Sequence, residues 1–240
     1  MESIMKHLFK PKLILVDVYE TLLDMREVEK KVNSILDSKR GFIIWFEMLL
    51  QYSFADNCTG QFHSFSDISR ATMSMVAKIM GVKLRDNQLD IVTEMMKHLP
   101  VKEGVQQGLS AMYDEGYRLA ALTNSPKEIV SERMEMSGLV SYFETVMSAE
   151  EIRKYKPAKE VYLWASKSTG VDVSEVLMVS AHGWDIAGAA YAGMQTAYVK
   201  QDDQMLYPLA PAPMFIAKDL TDLAGQLTET FHSEKIRGES

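Results

Sequence analysis

The chain has little in it that would staple or anchor a fold. Its 240 residues include one cysteine, Cys58, which excludes an internal disulfide and a thiolate metal cluster. A lone thiol of this kind is expected as a small, buried or half-buried apolar side chain. No stretch approaches the roughly 20 consecutive apolar residues that a membrane helix needs. Met1-Glu2-Ser3-Ile4-Met5-Lys6-His7 lacks the apolar segment and small-residue cleavage site of a secretory signal, so the expectation is a cytoplasmic protein without a membrane role. A surplus of basic residues is also missing. With 26 Lys and Arg against 33 Asp and Glu, the formal charge is −7, which opposes binding to nucleic acid or an anionic membrane. A small anionic substrate would need its own local donors. His7, His63, His98 and His232 are scattered without metal-ligand spacing, and no internal repeat or low-complexity segment is present.

The remaining composition is that of a globular protein, 47% hydrophobic and 25% charged, long enough for one large domain or a core with a smaller insert. Its 17 methionines suit irregular helical cores. Leu13-Ile14-Leu15-Val16 is apolar without alternation, as in a parallel strand buried on both faces. It ends on Asp17, at the carboxyl end of a strand, where ligands bind in open α/β sheets. Helical periodicity then runs to about residue 98: a helix through Val28, Val32, Ile35 and Leu36, a second through Phe42 to Leu50, a third from Ser66 to Met80 and a fourth from Asp86 to Lys97, with Phe54 to Ser64 as a loop.

From Val101 strands and helices alternate. Strands are expected at Arg118–Thr123, Phe143–Met147, Val176–Ser180, Thr196–Val199 and Met214–Ile216, and a last helix from Leu220 to Phe231 ahead of a frayed tail from His232. The pattern predicts an α/β fold, a Rossmann-like doubly wound parallel sheet with an inserted helical cap. The core would span residues 1–24 and 99–240 and the cap residues 25–98.

Three further segments fall at strand ends. Thr123-Asn124-Ser125-Pro126-Lys127-Glu128 reads as a capping-box helix start, with hydroxyl, amide and free backbone donors suited to an anion. Lys156-Pro157 follows a short strand, and a lysine brought near Asp17 would favour its ionised form. Ser180-Ala181-His182-Gly183-Trp184-Asp185 follows a buried strand, which places His182 at the edge of a pocket.

Asp17, Tyr19, Thr21 and Leu22 in Asp-x-Tyr-x-Thr-Leu, with Lys156-Pro157, Tyr162 and the Ser180–Asp185 segment in order, resemble the haloacid dehalogenase superfamily in its 2-haloacid dehalogenase branch. The resemblance implies a hydrolase of carbon–halogen bonds in small 2-haloacids that forms an aspartyl ester at Asp17. Lys156, Asp185 and Ser180 would join it in catalysis. Tyr19, Thr21, Phe46, Thr123, Asn124, Ser125, Tyr162, His182 and Trp184 would line the substrate site, with no metal or other cofactor, and a homodimer is the implied assembly. Phosphatases of that superfamily place a second Asp two residues after the nucleophile, because a leaving alkoxide must be protonated. Tyr19 stands there, and Ala189 stands where their second metal-binding acid often lies.

Two positions depart from the branch. His182 replaces an asparagine. Phe46, just after Trp45, replaces an arginine that attracts the halide, and Arg40, six residues earlier, lies about 240° around the helix. Losing a hydrogen bond to charge costs on the order of 2 kcal/mol in a transition state. The alternatives are therefore a magnesium-dependent phosphatase of the same superfamily and a non-catalytic binding protein of the same fold.

Overall fold

In the computed structural model, residues 9–85, 87–201 and 205–237 are described, the final six by backbone alone; His7, Asp86 and the side chain of His232 lie outside the described side chains. The apolar run forms strand β1 (Leu13–Val16), fully buried along its length. Ile14 and Val16 pack in one core cluster with Leu109 and Leu223, while Leu13 and Leu15 pack in the other with Val161, Tyr162 and Met178. Both faces are covered by helices, which is why the strand shows no polar alternation.

After β1 come four helices, α1 (Arg26–Ile35), α2 (Gly41–Thr59), α3 (Phe65–Ile79) and α4 (Gln88–Lys97), and then α5 (Val105–Asp114). The alternating part follows as β2 (Arg118–Thr123), α6 (Lys127–Met136), β3 (Thr145–Ser148), α7 (Lys159–Thr169), β4 (Val176–Ser180), α8 (Gly183–Ala192), β5 (Gln195–Val199), β6 (Phe215–Ala217) and α9 (Leu220–Arg237). The six strands form one parallel sheet in the order β3-β2-β1-β4-β5-β6. Val16 of β1 is in register with Ala121 of β2 on one side and Val179 of β4 on the other. Strand order therefore reverses beside β1, and the residues following β1, β2 and β4 converge at this switch point.

Three expectations are corrected. The loop expected over Phe54 to Ser64 is confined to its second half, residues 60–64: α2 runs through Asp56 and Asn57 to Thr59 and stops at Gly60, whose left-handed φ of 71° breaks it. Cys58 is exposed rather than buried. Helix α9 continues past Phe231 to Arg237, beyond the expected fraying point. Trp45 is 2% exposed and donates its indole N–H to Ser69 O at 3.1 Å, so it packs within the helical block. No described helix is long and apolar enough to cross a membrane.

Candidate active site

Asp17 leaves β1 with its backbone N–H bonded to Val179 O at 2.9 Å, which fixes its side chain at the switch point. The Lys156 ammonium lies between two carboxylates, donating to Asp17 Oδ1 and Asp185 Oδ2 at 2.7 Å each and to Leu122 O at 3.1 Å. Lys156 and Asp185 are 1% and 0% exposed, so the charges are solvated by each other rather than by water. Burial alone would lower the lysine pKa, but the Asp17 and Asp185 charges and hydrogen bonds outweigh it and hold the pKa above the usual lysine range. The ammonium is thus a fixed cation.

The other oxygens of both acids are engaged as well. Thr21 Oγ1 donates to Asp17 Oδ2 at 2.8 Å and accepts from Ala181 N at 2.9 Å, tying the β1 and β4 loops together. The Tyr162 hydroxyl donates to Asp185 Oδ1 at 2.6 Å, and burial, followed by the Asp185 charge, raises its pKa well above the usual phenol value. This contact needs a small residue beside it: a Cβ on Gly188 would lie 2.8 Å from the Tyr162 hydroxyl and 2.5 Å from Pro157 Cβ.

The loop carrying Lys156 is held from two sides. Asn124 makes a reciprocal pair with the Lys156 backbone, accepting its N–H at 2.7 Å and donating to its carbonyl at 3.2 Å. Asn57, at the end of α2, does the same for Tyr155, accepting at 3.0 Å and donating at 2.8 Å. The Asn124 amide, singled out above as a substrate donor, is thus engaged in holding the lysine loop. Asn57 fell in the segment read as a loop, and no local pattern marks it.

The remaining predicted residues also converge, although some serve the scaffold. Ser180 Oγ accepts the His182 N–H at 3.1 Å, and Thr123 Oγ1 accepts the Ser125 N–H at 3.1 Å. The capping box expected at Ser125 is not formed: Pro126 occupies the cap of α6 without a side-chain cap bond, and Ser125 bonds with Tyr19. Burial, partly offset by that hydrogen bond, pushes the Tyr19 phenol up to about 12. His182 stacks on Trp184 with ring centroids 5.2 Å apart, and Phe46 lies 6.0 Å from the imidazole.

These groups open onto a cavity of about 90 Å³, room for several waters or a small organic acid. Asp17, Tyr19, Lys156 and His182 stand on the sheet side, and Met25, Trp45, Phe46 and Leu49 among its apolar walls. Its lining includes Arg70, whose guanidinium is paired with Asp90 at 2.6 Å. The apolar cap-side residues were not anticipated, because core packing gives the same helical spacing.

A doubly wound sheet with an acid–lysine–acid cluster at its switch point and a helical block above it defines a class of α/β hydrolases. The chain belongs to the haloacid dehalogenase-like hydrolase family, whose model matches residues 33–199, well over half of the sequence. It is similar to (S)-2-haloacid dehalogenase 2 of Pseudomonas sp. strain CBS-3, 26% identical over 89% of this chain and 94% of the relative. It is also similar to haloacetate dehalogenase H-2 of Moraxella sp. strain B, 26% identical over 86% of this chain and 93% of the relative. The solved L-2-haloacid dehalogenase of Xanthobacter autotrophicus with chloropropionic acid covalently bound shares the fold, with a TM-score of 0.81 at 22% identity over 92% of this chain and 99% of that one.

Proposed function

We propose that this hydrolase displaces halide from small 2-haloacids without a metal ion, using Asp17 as the nucleophile. The observation that carries the reading is the Lys156 ammonium 2.7 Å from both Asp17 and Asp185, which fills the space between the two acids that a magnesium ion would need. The donor set does not fit magnesium, and Tyr19, with its phenol pushed up to about 12, lies far from the near-neutral pKa that suits a general acid for a leaving alkoxide. A halide leaves without a proton.

A carboxylate oxygen of Asp17 attacks C2, the carbon–halogen bond breaks, and an ester forms. Water then adds to the ester carbonyl beside Asp185, releasing the 2-hydroxy acid. Lys156 balances charge throughout, and the free backbone donors at the start of α6, with the Thr123 hydroxyl, bind the substrate carboxylate. The names of the curated relatives, both dehalogenases of small haloacids, support this substrate class. The same reading divides the chain into a core of residues 1–24 and 99–240 and a cap of residues 25–98, and places a small-molecule enzyme in the cytoplasm.

The test is incubation with 2-chloropropionate, measuring chloride release and the mass of the protein after a single turnover. Chloride release with a mass increase on Asp17, both abolished in Asp17→Asn, is the expected result. Phosphate release from an aryl phosphate that depends on magnesium, with no chloride from any 2-haloacid, would overturn the proposal.

A further inference from the structure

Besides α2, two further helices of the insert turn one face onto the cavity that holds Asp17. Helix α3 lines it with Ser66, Ser69, Arg70 and Met73, and α4 with Leu89, Val92, Thr93 and Met96. In both helices the spacing is three, one and three residues, which puts the four side chains on a single face. Val92 and Met73 are 5% and 1% exposed, and Leu89 and Met96 are half-buried, so the α4 face looks into the molecule and not out from it. The Thr93 hydroxyl is turned to its own helix, donating to Leu89 O at 3.0 Å. What α4 offers the cavity is therefore a hydrocarbon wall.

Such a wall would ordinarily be covered by the next element, because interiors are close-packed and a void lined by apolar side chains is costly. Here it borders the space that reaches the nucleophile. At about 10–15 Å³ for each water-sized group, the cavity of about 90 Å³ holds roughly six to nine of them. 2-Chloropropionate, with six atoms besides hydrogen, leaves about two or three such places unfilled.

We propose that the preferred substrates are 2-haloacids carrying an unbranched apolar chain at C2, and that Leu89, Val92 and Met96 of α4, with Met73 of α3, select for it. The proposal rests on the reading of Asp17 as the nucleophile for a 2-haloacid and names the substrate class of that same site. The substrate carboxylate stays with the polar groups at the sheet, so the chain at C2 is the part that meets the apolar wall. Each methylene moved there from water stabilises the bound states, including the transition state, and raises kcat/KM by about fourfold. The flexible thioethers of Met25, Met73 and Met96, all in the lining, adapt to chains of different shape. A charged chain end finds no such welcome, since Arg70 is already paired with Asp90.

The experiment measures kcat/KM for chloride release by the full chain from 2-chloropropionate, 2-chlorobutanoate, 2-chloropentanoate, 2-chlorooctanoate and 2-chlorosuccinate. The value should rise to about 16-fold above that of 2-chloropropionate at 2-chloropentanoate and fall again at 2-chlorooctanoate, which overfills the cavity. 2-Chlorosuccinate should be a poorer substrate than 2-chlorobutanoate. Val92→Phe and Met96→Phe fill the apolar end and should each bring the ratio of 2-chloropentanoate to 2-chloropropionate to about one or below; Met96 is half-buried, so its replacement keeps the test if Val92→Phe does not fold. A value that stays level or falls from 2-chloropropionate to 2-chloropentanoate, or variants that keep the parent's ratio, would overturn the role of the α4 face while leaving Asp17 as nucleophile. No chloride from any member of the series would sink the dehalogenase reading itself, and the chain preference with it.

Discussion

Replacing Lys156 by methionine keeps the apolar stem but removes the ammonium that Asp17 and Asp185 each approach to 2.7 Å. Because these groups are nearly inaccessible, water does not replace the lost cation, and two carboxylates are left facing each other. Breaking a buried pair by removing one partner costs about 3–5 kcal/mol. At roughly 2–4 °C per kcal/mol for a chain of this size, Tm should fall by about 6–20 °C. The pH dependence has a definite sign. In the unaltered chain the folded-state pKa of Lys156 is raised above 10.5, so its contribution is complete below that value and is lost only as pH rises through the higher folded value. In the variant, two carboxylates face each other without a counter-charge and repel whenever both are ionised, so the deficit should be largest near neutral pH and above and should narrow in acid. Thermal unfolding followed by circular dichroism at about pH 5 and about pH 8 measures both effects. A variant as stable as its parent at the higher pH, or one with the same deficit at both, would refute the account of the site as an electrostatic unit.

Asn57→Ala removes two hydrogen bonds to the Tyr155 backbone and should lower stability by about 2 kcal/mol, with a fall in kcat because the adjacent lysine loses one of its supports; urea unfolding and steady-state kinetics read the two effects. Phe46→Arg restores a cation beside His182 at the cost of stacking on Phe42. A gain of about 2 kcal/mol toward the leaving halide corresponds to a rise of roughly 30-fold in kcat/KM for 2-chloropropionate, and an unchanged value would show that the arginine is not the missing donor.

The sheet and its switch point were legible because buried parallel strands carry an unmistakable apolar run, and Asp17, Lys156 and Asp185 follow or precede such runs in motifs of fixed spacing. The helical insert was legible in outline, but the extent of α2 was not. Asp56, Asn57 and Thr59 are typical turn residues, and helix propensity lost to tertiary contact here, since Asn57 gains its partners only when the Lys156 loop is in place. Ser125 had a cap's sequence pattern, but Tyr19 competes for its hydroxyl. Asn124 was placed in the site by its position, yet its amide serves the lysine backbone, a distinction that spacing does not encode.

The uninterrupted course of α2 from Gly41 to Thr59 makes it a stiff rod that joins the cavity wall to the lysine loop. Phe46, over the imidazole, and Asn57, clasping the strand of chain that bears the ammonium, are eleven residues apart on it, about 16 Å of rigid rod. Any displacement of that rod is therefore felt at the loop that carries Lys156, through the two hydrogen bonds of Asn57.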